Sequence, residues 1–120
     1  MTRAVFLDRD GVLNKSIVRG GRPYAPIKLE EFSIIEGAIE AVSALHQAGF
    51  LTIVVTNQPD VANGVVNKAF VDTIHKRLSD RMPLSDIKVC YHIKEDKCAC
   101  RKPEPGMLLE SAKKYDINLS

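Results

Sequence analysis

An α/β fold with a parallel sheet is predicted by three features of this sequence. Short apolar runs end abruptly in polar residues, helical apolar patterns of crossover length lie between them, and the joints are short. With 120 residues, 45% hydrophobic and 27% charged, the chain suits one soluble domain with a single core rather than a disordered or fibrous chain.

Ala4 to Leu7 is an uninterrupted apolar run that stops at Asp8-Arg9-Asp10-Gly11, as expected of a strand buried on both faces and ended by a turn. Lys15 to Phe32 breaks the α/β rhythm, and Ile17-Val18-Arg19, Gly20-Gly21 and Arg22-Pro23-Tyr24 predict a small hairpin projecting over the end of the first strand. Ile39, Val42 and Leu45 are spaced for one helix face, with Gly49 where a left-handed stop residue belongs. Leu51 to Val55 predicts a second buried strand, ending at Thr56-Asn57-Gln58-Pro59. Asn67 then caps a helix carrying Phe70, Val71, Ile74 and Leu78 on one face and ended by Pro83. Ile87 to Tyr91 is a third strand, and a last helix opens at Pro105-Gly106 with Leu108, Ala112 and Tyr115.

The net charge of +2, with no uninterrupted basic block, gives no case for nucleic-acid or membrane-surface binding. No apolar run reaches the roughly 20 residues of a membrane span, and Met1-Thr2-Arg3 leads to Asp8 without a signal-peptide core, so the expected location is the cytoplasm. Three cysteines in a reducing compartment favour metal or catalysis over a disulfide framework. His46 and His75 lie on helical patterns away from the motifs and are expected at the surface.

Ligands of open α/β sheets bind beyond the carboxyl ends of the strands, and here those ends carry Asp8 and Asp10, then Thr56, Asn57 and Gln58. If the backbone stays extended through Arg9, both carboxylates point to one side and require a shared proton or a cation. An EF-hand is excluded, because counting from Asp8 puts Leu13 where the loop needs glycine and Arg19 where it needs glutamate. The layout suits Asp8 as a nucleophile toward phosphorus, with Asp10 as the acid/base beside it. A transferred phosphoryl group also needs a neutral donor and a fixed cation, for which Thr56 and Lys102 are the candidates. The prolines of Arg101-Lys102-Pro103-Glu104-Pro105 restrict the backbone that presents Lys102.

Cys90-Tyr91-His92 and Cys98-Ala99-Cys100 supply three thiolates and an imidazole in two close pairs, a tetrahedral set for structural Zn²⁺. Zinc there would order the polar loop at about 90–100 and fix Arg101 and Lys102 just beyond it.

Taken together, Asp8-Arg9-Asp10-Gly11-Val12-Leu13-Asn14, Val55-Thr56-Asn57-Gln58 and Arg101-Lys102-Pro103 resemble the haloacid dehalogenase superfamily of Mg²⁺-dependent phosphatases. The C-x-H and C-x-C pairs narrow the resemblance to its nearly capless branch of heptose-bisphosphate and histidinol-phosphate phosphatases. The resemblance covers residues 1–120 and implies a Rossmannoid three-layer sandwich. It also implies hydrolysis of a phosphorylated sugar through an aspartyl-phosphate. By position, Asp8 becomes nucleophile and Mg²⁺ ligand, and Asp10 the acid/base that lends its main-chain carbonyl to the metal. Thr56 binds the phosphoryl group, Lys102 braces it, and Asn57, Gln58 and Arg101 contact substrate. Cys90, His92, Cys98 and Cys100 hold zinc.

Two departures from the family pattern bear on this. Val61-Ala62-Asn63-Gly64 lacks a family arginine, and Asn118-Leu119-Ser120 stops before a last core strand and a Gly-Asp-x-x-x-Asp element. A core truncated there would leave Ala4 to Leu7 as an apolar edge, from which a homo-oligomer is expected. The competing expectation is a zinc-ordered, non-catalytic remnant that binds phosphorylated ligands or a partner protein.

Overall fold

The computed structural model describes residues 3–91, 102 and 104–117. At its centre is β4 (Leu51–Asn57), whose Ile53 and Val54 are both fully buried although they point to opposite faces. A strand covered on both sides suits a parallel sheet. β1 (Ala4–Leu7) pairs parallel to β4 on one side, with Leu7 opposite Val54, and β5 (Asp86–Cys90) pairs parallel on the other, with Asn57 opposite Cys90. The order is β1-β4-β5.

Alternation along β4 sorts the core into two layers. Val54 joins Leu13, Ala38 and Val42 of α1 (Ala38–Gln47) and Ile74 and Leu78 of α2 (Lys68–Arg81). Ile53 and Val55 face the other way, onto Cys90 and Met107 at the start of α3 (Gly106–Tyr115). The result is the expected α/β sandwich, with α1 and α2 on one face of the sheet and α3 on the other.

The local signals act as their chemistry requires. Asn67 Oδ1 accepts from the Phe70 amide at 2.9 Å, capping α2, which ends ahead of Pro83. The hairpin of β2 (Ile17–Arg19) and β3 (Arg22–Tyr24) is joined by Gly20 and Gly21, both at positive φ (56° and 77°), which a two-residue turn matched to strand twist demands.

Two differences from the sequence reading have physical causes. The strand read as ending at Val55 runs on to Asn57, because β5 supplies ladder partners as far as Cys90. Beyond the hairpin, the chain makes a single 3₁₀ turn (Leu29–Glu31) and returns to the core, where the Ile35 amide donates to the Leu13 carbonyl at 2.9 Å. Phe32, Ile34 and Ile35 thereby pack against the α1/α2 cluster.

Candidate active site

Because Leu7 lies opposite Val54, the chain leaves β1 at Asp8 beside the last residues of β4. Lys102, just ahead of α3, reaches into the same place. Its ammonium donates to Asp8 Oδ1 and, at 3.0 Å, to the Val55 carbonyl. Asn57 fixes the main chain beneath it, for the Lys102 amide donates to Asn57 Oδ1 at 3.0 Å and Asn57 Nδ2 donates to the Lys102 carbonyl at 3.3 Å. The Asp8 side chain remains 58% exposed, so the ion pair adds little to stability, and its carboxylate stays open to a ligand.

Asp10 is held differently. After Asp8 the backbone bends, and the Arg9 carbonyl accepts from the Leu13 amide (2.8 Å) and the Asn14 amide (3.2 Å). The turn passes through Gly11 at φ 85°, a conformation that a side chain would strain. Asp10 Oδ1 then receives Arg9 Nη2 (2.8 Å), Arg9 Nε (3.2 Å) and Asn14 Nδ2 (3.0 Å), while Oδ2 receives Gln58 Nε2 (3.0 Å). The sequence predicts a shared proton or a cation between the two aspartates; in the structure each carboxylate has its own cation, Lys102 for Asp8 and Arg9 for Asp10.

Thr56 and Gln58 lie beneath this layer, 2% and 3% exposed. Gln58 Nε2 also donates to Thr56 Oγ1 at 2.8 Å, and Gln58 Oε1 accepts from Arg9 Nη2 at 3.1 Å. Both amides expected to meet substrate, those of Asn57 and Gln58, are thus engaged within the protein. They orient Lys102, Thr56 and Asp10.

Arg9 and His75 were not among the expected site residues, and the surface position expected for His75 is corrected here. Arg9 is 1% exposed and His75 8%, and their Nη1 and Nε2 atoms lie 3.2 Å apart. His46, in contrast, is exposed as expected. Arg9 continues the face of Leu7, which packs into the α1/α2 cluster. His75 belongs to the buried stripe Val71, Ile74, His75, Leu78 of α2, at the spacing of one helix face.

Burial, and then the Arg9 charge, push the His75 imidazole down to about 4, against the weaker pull of Asp10. An unfolded chain takes up this proton from about pH 6.5 downward, the folded one only near 4. Stability therefore falls as pH drops between those values, by ~3 kcal/mol in total, and this group has no effect above them. Urea unfolding from pH 7 to about pH 4.5 is expected to show a steeper loss for the native protein than for a His75→Gln variant. Equal slopes would contradict the assignment.

The hairpin also reaches this end of the sheet. Asp60, in the loop after β4, has its carboxyl raised by burial and then by Asp10, with Arg19 of β2 and Arg9 acting against both. Arg19 itself is tied to Glu31 at 3.2 Å.

Residues 5–120 match the family model of the polynucleotide kinase 3 phosphatase. The D-glycero-beta-D-manno-heptose-1,7-bisphosphate 7-phosphatases of Pasteurella multocida and Pseudomonas putida are 36% and 37% identical to this chain, each over 98% of it and 67% of their own length. The D-glycero-alpha-D-manno-heptose-1,7-bisphosphate 7-phosphatase of Mycobacterium tuberculosis is 35% identical over 88% of this chain and 56% of its own. The crystal structure of the D,D-heptose 1.7-bisphosphate phosphatase from B. bronchiseptica, complexed with magnesium and phosphate, superposes with a TM-score of 0.82 at 31% identity, over 99% of this chain and 66% of that one. The chain belongs to the haloacid dehalogenase superfamily of phosphatases. It spans about two thirds of the length of the beta-heptose relatives.

For a haloacid dehalogenase chain the donors present fit a Mg²⁺ ion. Asp8 offers an exposed carboxylate, and the Asp10 main-chain carbonyl accepts no hydrogen bond among the described residues. Hard oxygens of this kind suit an ion that keeps several of its waters. The Asp10 carboxylate receives four N–H donors, three on Oδ1 and one on Oδ2, from within the protein.

Of the expected zinc ligands, Cys90 ends β5 and is 1% exposed, while His92, Cys98 and Cys100 lie outside the described residues, as does Arg101. Among the described residues no group of three or more His, Cys, Asp or Glu could hold a metal, and no helix is long and apolar enough to cross a membrane.

Proposed function

We propose that residues 1–120 form the core of a Mg²⁺-dependent phosphomonoester hydrolase acting on D-glycero-D-manno-heptose 1,7-bisphosphate through an aspartyl-phosphate. The contact of the Lys102 ammonium with the exposed carboxylate of Asp8, at the carboxyl end of the sheet, carries this reading.

An oxygen of Asp8 attacks phosphorus, and the bond from phosphorus to the sugar oxygen breaks. That oxygen leaves with a proton from Asp10. Water then attacks the phosphoryl group, returns a proton to Asp10, and releases inorganic phosphate and free Asp8. The Lys102 ammonium balances the charge gathering on the phosphoryl oxygens. The Thr56 hydroxyl, which accepts from Gln58, keeps its own proton to donate to them. Asp8 and the main-chain carbonyl of Asp10 would hold Mg²⁺, which when bound would supply positive charge against the repulsion between the anionic nucleophile and its anionic target. Arg101 adjoins Lys102 in sequence and serves as a substrate contact. Zinc on Cys90, His92, Cys98 and Cys100 would tie down the segment that presents Lys102.

The names of the relatives point to the 7-phosphate of a heptose, with both anomers represented among them. Release of phosphate from the heptose bisphosphate is expected to require Mg²⁺, to stop with chelator, and to exceed release from histidinol phosphate. Faster turnover of histidinol phosphate would reassign the substrate; turnover independent of Asp8 would remove the mechanism.

A further inference from the structure

The proposed mechanism gives Asp10 a proton to deliver, and the packing behind Asp10 determines which of its oxygens can carry it. Oδ1 receives three N–H donors, Arg9 Nε, Arg9 Nη2 and Asn14 Nδ2. A carboxylate oxygen offers about two lone-pair positions, so Oδ1 is saturated. Oδ2 receives only Gln58 Nε2 and keeps a position open.

We propose that His75 is a positioning residue of the site: by accepting from Arg9 Nη1 it locks the guanidinium across Asp10 Oδ1 and leaves Oδ2 as the oxygen that exchanges the proton with substrate and water. This rests on the reading of Asp10 as the acid/base.

Arg9 has little freedom and no water to lean on, being 1% exposed. Nε and Nη2 turn toward Asp10 and Gln58, and Nη1 turns away from them toward α2, where His75 Nε2 meets it at 3.2 Å. A guanidinium can only donate, so Nε2 must be the acceptor and the ring proton must sit on Nδ1. Without that acceptor, Nη1 would be a buried N–H of a charged group left unpaired, and the guanidinium would turn to satisfy it. Its fork would then leave Oδ1, and the proton would have two oxygens to choose from. Among the described residues no hydrogen bond or ion pair joins His75 to Asp8 or Lys102, so its effect on the site runs through Arg9 and Asp10.

The test compares the native chain with His75→Phe, which fills the ring volume without an acceptor, and with His75→Gln, which restores one. Two substrates separate proton delivery from general damage: the heptose bisphosphate, whose alkoxide must be protonated as it leaves, and p-nitrophenyl phosphate, whose phenolate leaves unaided. For His75→Phe, kcat on the sugar is expected to fall about tenfold with KM within about twofold, and kcat on the aryl ester less than about twofold. His75→Gln should recover most of the loss. Equal losses on both substrates, or none on the sugar, would overturn the proposal.

Nitrogen NMR of the histidine-labelled native protein provides a readout that needs no variant, should His75→Phe not fold. The proposal predicts an unprotonated Nε2 and a protonated Nδ1; the opposite tautomer removes the Arg9 contact and the proposal with it. Should the native chain release phosphate without any dependence on Asp10, the acid/base reading fails by itself, and the tautomer still reports on the Arg9–His75 pair separately.

Discussion

Asp8→Asn is expected to lower kcat on the heptose bisphosphate by a factor on the order of 10⁴ or more, the scale seen when a covalent nucleophile is removed. The substitution keeps the shape of the side chain and removes the anion that attacks phosphorus. Because the Asp8 side chain is 58% exposed and its partner Lys102 34% exposed, the fold should tolerate it, with unfolding midpoints close to native. Substrate binding should persist, for Lys102 and Thr56 remain in place. A variant that retains more than about a hundredth of native turnover would mean that another group or water attacks directly.

Lys102→Met is expected to reduce kcat by about 10²–10³, the cost of removing one preorganised donor from a developing charge. The methionine keeps the length of the stem and discards the ammonium that bridges Asp8 and the Val55 carbonyl. Lys102→Arg should rescue little. The native ammonium is a compact charge shared between two close acceptors, and a planar fork cannot occupy that point in the same way. The main-chain clamp from Asn57 depends only on backbone atoms of residue 102 and should survive both substitutions. A loss seen only in KM, with kcat unchanged, would recast Lys102 as a binding residue without a part in the chemical step.

The parts of the site readable from sequence are those written in local pattern. Apolar runs that end in polar residues located the carboxyl ends of β1 and β4, and parallel pairing then put Asp8 beside the end of β4. Lys102 stood out because prolines follow it and a helix begins soon after, and the fold brings it onto Asp8 across 94 residues of chain. Gly20-Gly21 and Asn67 specified a turn and a cap through their own conformational chemistry.

What escaped depends on partners distant in sequence. An arginine between two aspartates reads as a spacer, yet alternation from Leu7 directs Arg9 into the layer beneath α2. His75 shares its stripe with Val71, Ile74 and Leu78, a pattern visible in the sequence, and its polar character masked it. The amides of Asn57 and Gln58 look like ligand contacts wherever they stand at a strand end. The hydrogen bonds these two amides make inside the protein, to the main chain of residue 102 and to the Arg9–Asp10 pair, could not be read there, because they exist only once the sheet and the segment before α3 have come together.

Trapping the intermediate tests the central claim most directly. The protein is mixed with the heptose bisphosphate and Mg²⁺, quenched in acid within one turnover, digested and mapped by mass spectrometry. The account predicts one phosphoryl group on the peptide containing Asp8, released by hydroxylamine as an acyl phosphate must be and absent from Asp8→Asn. A phosphoryl group on a different residue, or none on Asp8 while an Asp10→Asn variant, in which water attack is slowed, turns over p-nitrophenyl phosphate, whose phenolate needs no proton to leave, would contradict it.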